Sequence, residues 1–349
     1  MGDAPKIILG EIMHTAFIAG CAGHELSSDE FSFFRDRRPA GFILFERNCA
    51  TPDQLKTLIG RVREALHGDS IFVAIDQEGG RVQRLVPPHW RQYPAAMDLA
   101  KIADIDPVEG ERALHLVNRA IAKDLIDLGI NMNCTPVLDL PVEGAHDIIG
   151  NRALGHDVET ISKRARIVAD AHLECGVLPV IKHVPGHGRS LNDSHKALPI
   201  VNASREELEQ SDFETFKRLN DMPVAMTAHI VYSDIDDTAP ASTSPVVIKE
   251  IIREHIGFDG LLMSDDLSMQ ALEGSMTTRT RGVLLAGCDL ALHCNGDLKE
   301  MVDVAESSPE LTGEGLVRFK NALARLDVAP HLPLVHEAEK LEQLLAGIG

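Results

Sequence analysis

Eight short apolar runs, each followed by a segment with helical periodicity, constrain the fold of this chain more than any other feature. The predicted strands are Ala16–Gly20, Gly41–Phe45, Ile71–Ile75, Ile130–Cys134, Leu178–Ile181, Val224–Thr227, Gly260–Ser264 and Leu290–His293. Most are continuously apolar, which is typical of strands buried on both faces of a parallel sheet. The strand at Ile130–Cys134 is the exception, because Asn131 and Asn133 alternate with its apolar residues.

The segments between these runs carry start and stop signals for helices. Thr51 is predicted as an N-cap, with Pro52 at the first helical position and Gly68 ending the helix. Further helix starts are predicted at Asp157, Ser204 and Ser244, the last with Ile248, Ile251, Ile252 and Ile256 on one face and Gly257 as the stop.

Eight strand–helix units predict an α/β fold of the (β/α)8 TIM-barrel type, for which ~250 residues is typical. A doubly wound parallel sheet shares the same alternation and is the rival architecture. No Pro/Gly/Ser-rich linker divides the 349 residues. We therefore expect a single catalytic domain, with the barrel over about residues 10–305 and a helical tail over about 306–349. Helices are predicted in that tail at Leu316–Leu326 and Glu337–Leu345.

Charge and composition exclude several classes of protein. Lys and Arg number 34 against 53 Asp and Glu, a net charge of −19, and aromatic residues are only 4%, so nucleic-acid binding through a basic face is not expected. No run of 18 apolar residues occurs, so no membrane insertion is expected. Six separate cysteines without a CxxC pair indicate free thiols, and we expect a cytoplasmic monomer without a cofactor.

Polar residues follow the apolar runs at the ends where a barrel carries its chemistry. Most of these ends carry Asp or His: Asp76, Asp139, Lys182-His183, His229, Asp265-Asp266 and Asn295. One polar strand end is ordinary, but this repetition indicates a functional site at the C-terminal face.

The first local pattern is Asp76-Gln77-Glu78-Gly79-Gly80-Arg81-Val82-Gln83-Arg84. It could be a solvated loop with a Gly-Gly turn. Its functional interpretation is a clamp for a polar ligand, in which Asp76 accepts hydroxyl hydrogen bonds and Arg84 binds oxygen atoms.

The second pattern is Lys182-His183-Val184-Pro185-Gly186-His187-Gly188, followed by Asp193-Ser194-His195. A metal site is one interpretation, but Pro185 and Gly186 prevent the helical geometry that His183 and His187 would need, and no metal is expected. Structural loop histidines are another. The third is acid/base catalysis, in which Asp193 orients the imidazole of His195 and raises its pKa.

The third pattern is Gly260-Leu261-Leu262-Met263-Ser264-Asp265-Asp266, an apolar strand that runs into two adjacent carboxylates. Either carboxylate could cap a helix. The functional alternative is a carboxylate nucleophile or general base.

Together these segments resemble glycoside hydrolase family 3, and more closely its single-domain bacterial β-N-acetylhexosaminidases. The matching segments are Ile75–Arg84, Ile149–Arg152, Lys182–His195, Thr227–Asp236 and Gly257–Met269, in the family's order. The resemblance implies a TIM barrel and a glycosidase that acts on peptidoglycan fragments. One departure is Val184, where an aromatic residue is expected in most relatives, and it could alter the wall beside His183.

The resemblance also implies roles for residues. Asp265 matches the catalytic nucleophile, and Asp193 with His195 matches an acid/base dyad. The saccharide-binding positions match Asp76, Arg84, Arg152, Lys182, His183 and, less closely, His229. A β-glucosidase or β-xylosidase of the same family is the enzymatic alternative. A non-catalytic saccharide-binding protein and a metal-dependent amidohydrolase are alternatives from other classes, but the latter would need an H-x-H motif at strand one, where the sequence is Ile18-Ala19-Gly20-Cys21.

Overall fold

The structure is a computed structural model that describes residues 13–68, 70–144, 146–190, 194, 198–327 and 340–344. Within these ranges the strands are β1 Thr15–Ala19, β2 Pro39–Leu44, β3 Phe72–Ile75, β4 Met132–Asn133, β5 Leu178–Val184, β6 Ile200–Val201, β7 Val224–Thr227, β8 Val231–Tyr232, β9 Leu261–Asp266 and β10 Leu290–His293. The helices are α1 Ser28–Arg37, α2 Pro52–Ala65, α3 Ala96–Ile105, α4 Pro107–Leu128, α5 Val158–Glu174, α6 Arg205–Gln210, α7 Asp212–Lys217, a π-helix at Val247–His255, α8 Met276–Ala286, α9 Leu298–Ser307 and α10 Gly313–Asp327.

Eight of the strands close into a parallel barrel in the order β1-β2-β3-β4-β5-β7-β9-β10, and β10 pairs with β1. The two short strands β6 and β8 form a separate parallel pair. Every predicted strand overlaps a barrel strand, so the (β/α)8 prediction is confirmed. A doubly wound sheet is excluded, because it would leave two edge strands unpaired.

Side-chain alternation along the strands determines which residues reach the barrel axis. On β5, the inward residues Leu178 and Val180 belong to the apolar interior cluster, and the next inward residue is Lys182. The same alternation on β3 and β9 brings Asp76 and Asp265 to the C-terminal end of the barrel. Charged groups therefore lie above an apolar floor, where burial strengthens their interactions.

Helix α10 covers the opposite, N-terminal end of the barrel. The chain leading into it is tied to β1, since the N–H of Ala16 donates to the carbonyl of Pro309 at 2.9 Å. Phe319 is buried, and its ring centroid lies 4.9 Å from that of Phe72 at the start of β3. The predicted tail helix at Leu316–Leu326 is thus confirmed. Of the second one, residues 340–344 are helical and the remainder lies outside the described residues.

Phe319→Leu should destabilise the chain without changing its catalysis. Loss of part of a buried aromatic ring leaves a cavity, and we expect a cost of about 1–2 kcal/mol in the free energy of unfolding. Urea unfolding measures this cost, and activity per folded molecule should equal that of the wild type. A changed KM would show that packing of helix α10 at the N-terminal end of the barrel influences the cavity at the opposite end.

The helix starts lie where the sequence predicts them, with one difference in winding. Thr51, Asp157 and Ser204 are N-caps whose side chains accept from a backbone N–H three residues on. After Ser244, however, the segment winds as a π-helix, because the N–H of Ile256 donates to the carbonyl of Ile251, five residues back. The expected apolar face is buried nonetheless.

Two further observations concern the chain as a whole. All six cysteines are free, and five of them are buried. Across the parts of the chain that the structure describes, no helix is both long enough and apolar enough to cross a bilayer.

Candidate active site

A cavity of about 320 Å³ opens at the C-terminal end of the barrel. Its walls come from the ends of β2, β3, β5, β7, β9 and β10 and from the loops that follow β3, β4, β5 and β9. Six of the residues that the sequence predicts to bind or attack a ligand line this cavity: Asp76, Arg84, Arg152, Lys182, His183 and Asp265. Apolar walls are supplied by residues such as Ile43, Phe45, Met226 and Leu292.

Asp76 lies between two cations on one wall of the cavity. Its carboxylate accepts from the Nζ of Lys182 at 2.8 Å and from the guanidinium of Arg84 at 3.2 Å. Burial by itself would raise the pKa of Asp76, but the charges of Lys182 and Arg84 outweigh it and hold the pKa well below its ordinary value. Phe45 orients Arg84, whose guanidinium lies 5.3 Å from the ring centroid. Asp76 is therefore an ionised hydrogen-bond acceptor at the cavity wall.

Glu78 completes this network, although the sequence motif that contains it did not indicate a separate role. Its carboxylate receives two hydrogen bonds from Arg152, at 2.8 and 2.9 Å, and lies 2.6 Å from the Nζ of Lys182. Burial by itself would raise the pKa of Glu78, but the charges of Arg152 and Lys182 outweigh it and lower the pKa to about 2. Arg152, from the turn Gly150–Arg152, is thereby held against the end of β3. The sequence does contain a signal for this role, because Glu78 follows Asp76 by two residues and a two-residue spacing places both side chains on one side of an extended segment.

Asp139, which follows β4, organises the histidine loop after β5. Its fully buried carboxylate lies 2.7 Å from the Nδ1 of His183 and accepts from the backbone N–H of His187 at 2.6 Å. Burial raises the pKa of Asp139, but the positive charge available on His183 reverses this and lowers it. This bond orients the ring of His183 toward the cavity, so Asp139 is a supporting residue for which the sequence predicted only a strand-end position.

The two adjacent carboxylates after β9 have different surroundings. Asp266 accepts from the backbone N–H groups of Ser268 at 3.0 Å and Cys294 at 3.1 Å, so it stabilises the loop. Asp265 lines the cavity, and its Oδ1 accepts from the N–H of Asp266 at 2.8 Å. Its own N–H donates to Thr227 at 3.3 Å, which links β9 to β7. Neither carboxylate caps a helix, because the next helix, α8, is capped by Ser275. Both side chains line the cavity, but the bonds that tie Asp266 to the loop favour Asp265 for the functional interpretation.

Two residues lie elsewhere than expected. His229 is fully buried behind the β9 carboxylates, outside the cavity lining, with Nδ1 2.7 Å from the Ser242 hydroxyl and Nε2 3.0 Å from the Asp266 carbonyl. Burial lowers its pKa, so it supports the loop as a neutral ring. Val184, expected to affect the wall beside His183, packs into the apolar layer between the sheet and the helices.

Asp193 and His195 lie outside the described residues, so the dyad stays a prediction. Ser194, between them in the sequence, is described and buried, and its hydroxyl lies 3.0 Å from Nε2 of His187. Burial, followed by the charge of His183, lowers the pKa of His187 to about 4. Among the described side chains, no three His, Cys, Asp or Glu residues are arranged to hold a metal ion.

Comparisons with known proteins agree with this architecture. Residues 16–326 match the glycosyl hydrolase family 3 N-terminal domain. A protein named beta-hexosaminidase from Alkalilimnicola ehrlichii is 37% identical over 293 residues, which cover 83% of this chain and 82% of that protein. Another of that name, from Neisseria meningitidis serogroup C, is 38% identical over 296 residues, with 83% and 80% covered.

Solved structures also match this chain, and one of them holds an amino-sugar derivative. The crystal structure of NagZ from Neisseria gonorrhoeae in complex with N-trifluoroacetyl-D-glucosamine matches with a TM-score of 0.85 and 31% identity, covering 97% of this chain and 98% of that one. The matched family model spans all eight barrel strands except the first residue of β1. With its closed parallel barrel and its charged cavity at the C-terminal face, this chain belongs to glycosyl hydrolase family 3.

Proposed function

We propose that this chain is a retaining exo-β-N-acetylglucosaminidase that removes non-reducing terminal N-acetylglucosamine from peptidoglycan fragments. The observation that carries the proposal is the position of Asp265, at the end of β9 in a cavity whose other walls hold Asp76, Arg84 and Lys182. Relatives named beta-hexosaminidase support the activity, and the neighbour in complex with N-trifluoroacetyl-D-glucosamine supports a 2-acylamino sugar. The free, mostly buried thiols suit a reducing compartment, so we place the enzyme in the cytoplasm.

The ion-pair network supplies the groups that such a sugar requires. The ionised Asp76 accepts hydrogen bonds from sugar hydroxyls, while Arg84 and Lys182 donate to sugar oxygens. Arg152 and His183 line the same cavity and hold the ring from the adjacent side. Because Glu78 and Asp139 fix these two donors, the site is organised before the substrate arrives, which reduces the free-energy cost of binding.

Hydrolysis with retention proceeds in two displacements. In the first, a carboxylate oxygen of Asp265 attacks the anomeric carbon, the glycosidic bond breaks, and His195 donates a proton to the departing oxygen. In the second, neutral His195 takes a proton from water, the resulting hydroxide displaces Asp265, and the sugar leaves with its original configuration. Asp193 orients the imidazole and favours its protonated form. Both steps use only side chains and water.

The leaving group provides the test of His195. His195→Ala should lower the rate strongly with an alkyl or saccharide aglycone, which needs a proton to depart, and much less with 2,4-dinitrophenol, which does not. We expect a difference of about 10²–10⁴-fold between the two classes, the usual contribution of general acid catalysis. Steady-state rates measured under conditions where glycosylation limits the reaction check this result. An equal loss with both classes would contradict the acid role.

The substituent at carbon 2 separates this proposal from a β-glucosidase or β-xylosidase. The decisive comparison is kcat/KM for 4-nitrophenyl N-acetyl-β-glucosaminide, β-glucoside and β-xyloside on the wild-type chain, followed by a muropeptide carrying the same terminal sugar. Preference for the N-acetyl compound supports the proposal, and preference for either plain glycoside overturns it.

A further inference from the structure

Two asparagines on β4 and just before it make the same unusual contact with β3. Asn131 accepts from the N–H of Val73 at 2.7 Å through Oδ1 and donates to the carbonyl of Ile71 at 2.9 Å through Nδ2. Asn133 repeats this farther along, accepting from the N–H of Gln77 at 2.9 Å and donating to its carbonyl at 2.9 Å. The polar interruption of this strand in the sequence therefore supplies side-chain amides that bond the neighbouring backbone.

Asn133 has an additional partner in the helical layer. Its Nδ2 lies 2.9 Å from Nε2 of His172 on α5, and Nδ1 of His172 lies 2.8 Å from the carbonyl of Val168. Asn133 and His172 are both completely buried. Neither residue lines the cavity.

The donors and acceptors in this chain of contacts permit one arrangement. A backbone N–H can only donate, so the Asn133 oxygen must face the N–H of Gln77, and its NH₂ group faces His172. Nε2 of His172 must then accept, and because the Val168 carbonyl also only accepts, the ring proton is on Nδ1. His172 is therefore neutral, in agreement with burial that lowers its pKa to about 4.

Gln77 links Asn133 to the loop that carries Arg84. Its buried side chain accepts from the backbone N–H groups of Arg84 at 2.8 Å and Leu85 at 3.0 Å. The side chain of Gln77 thus joins the two ends of the segment from Asp76 to Arg84, and the backbone of Gln77 is itself hydrogen-bonded to Asn133.

We propose that Asn133, oriented by neutral His172, is a positioning residue that sets the relative places of Asp76 and Arg84 in the cavity. The path runs from α5 through His172, Asn133 and Gln77 to the backbone of Arg84, and its hydrogen bonds are buried except the last, at Arg84, which is partly buried. The functional consequence rests on the proposed glycosidase, in which Asp76 and Arg84 bind the sugar.

Asn131 provides a matched control for the kinetic test, because its side chain also bonds one backbone N–H and one backbone carbonyl in or beside the neighbouring strand, but these belong to Val73 and Ile71 and not to Gln77. Asn131→Ser and Asn133→Ser should each lower the thermal unfolding midpoint. Only Asn133→Ser should raise KM for 4-nitrophenyl N-acetyl-β-glucosaminide, by about tenfold, with a smaller change in kcat, since contacts that bind substrate and transition state alike act on KM. Equal KM values in the two variants would overturn the proposal.

The role of His172 is tested by removal and restoration of the acceptor. His172→Phe keeps a planar ring without an acceptor and should reproduce the rise in KM. His172→Gln can offer its Oε1 near the place of Nε2 and should stay within about twofold of the wild type. If KM rises as much in His172→Gln as in His172→Phe, the hydrogen bond between His172 and Asn133 does not position the site, and the proposal is wrong.

Hydrogen exchange separates this inference from the proposed function. The amide protons of Arg84 and Leu85 bond to Gln77, so a peptide covering residues 77–85 should exchange about tenfold faster in Asn133→Ser and His172→Phe, but not in Asn131→Ser. Unchanged exchange would overturn the positioning role. If the wild-type chain hydrolysed none of the aryl glycosides, the proposed function would fail, while this exchange comparison would still decide the positioning role.

Discussion

Asp265→Ala should abolish hydrolysis of 4-nitrophenyl N-acetyl-β-glucosaminide, with a loss of at least about 10⁴-fold in kcat/KM, while the chain stays folded. A nucleophile that forms the covalent intermediate cannot be replaced by its neighbours, and such losses are among the largest that single substitutions cause. The structural cost should be about 1 kcal/mol, the usual net contribution of a hydrogen bond such as the one that its side chain accepts from the N–H of Asp266. Steady-state kinetics and thermal unfolding of the same sample check both parts.

Asp266→Asn is the matched control for this experiment. It lies on the same strand end, and an amide oxygen can still accept from Ser268 or Cys294. We expect it to retain activity within about 10²-fold of the wild type. Azide should restore reaction to Asp265→Ala and form the α-glycosyl azide, because the small anion occupies the vacated space and attacks from the same side. A greater loss of activity in Asp266→Asn than in Asp265→Ala would show that Asp265 is not the nucleophile.

Lys182→Met should destabilise the chain by about 3–5 kcal/mol at neutral pH, the usual effect of removing one partner from a buried ionic cluster. Lys182 is only 2% exposed and neutralises Asp76 and Glu78 together, at 2.8 and 2.6 Å. Its loss removes the buried cation that lies between the two carboxylates, so among the described ion pairs Asp76 keeps only Arg84, Glu78 keeps only Arg152, and each carboxylate loses a buried partner. Urea unfolding measures the change. Lys163→Met, which removes an exposed surface pair with Glu111, should cost at most about 1 kcal/mol.

The pH dependence of this effect follows from Glu78. Its pKa is lowered from 4.5 to about 2 in the folded chain, so its contribution to stability is complete above the unfolded value and is lost as the pH falls toward 2. Asp76 acts in the same direction. In Lys182→Met the need for a cation disappears as the carboxylates become protonated, so the destabilisation should shrink between pH 7 and pH 3. A penalty that is constant with pH would show that Lys182 contributes by packing alone.

Much of the barrel was predictable because its determinants are local. A parallel strand that is buried on both faces must be apolar along its length, and a helix start requires partners for its free N–H groups, which a side chain within three residues can supply. Thr51 and Asp157 satisfy that second requirement with neighbours in the sequence. The π winding at Val247–His255 was missed, since the same apolar face suits either kind of helix.

The site was predictable in part. Asp76, Lys182 and Asp265 could be placed near one another, because the C-terminal ends of parallel barrel strands converge. Their partners could not be predicted in the same way. The position of His229 behind Asp266, rather than in the cavity wall, depends on packing against Ser242 that no local pattern specifies.

The amino-acid sequence by itself determined the eight strands, their helices and which strand ends carry charge, because burial and capping act between residues a few positions apart. Only the tertiary structure decided which charges meet: Lys182 lies 106 residues from Asp76, and Arg152 lies 74 residues from Glu78. It likewise joined His172 to Asn133, 39 residues apart. Such contacts depend on the register and closure of the barrel, which are properties of all eight strands together.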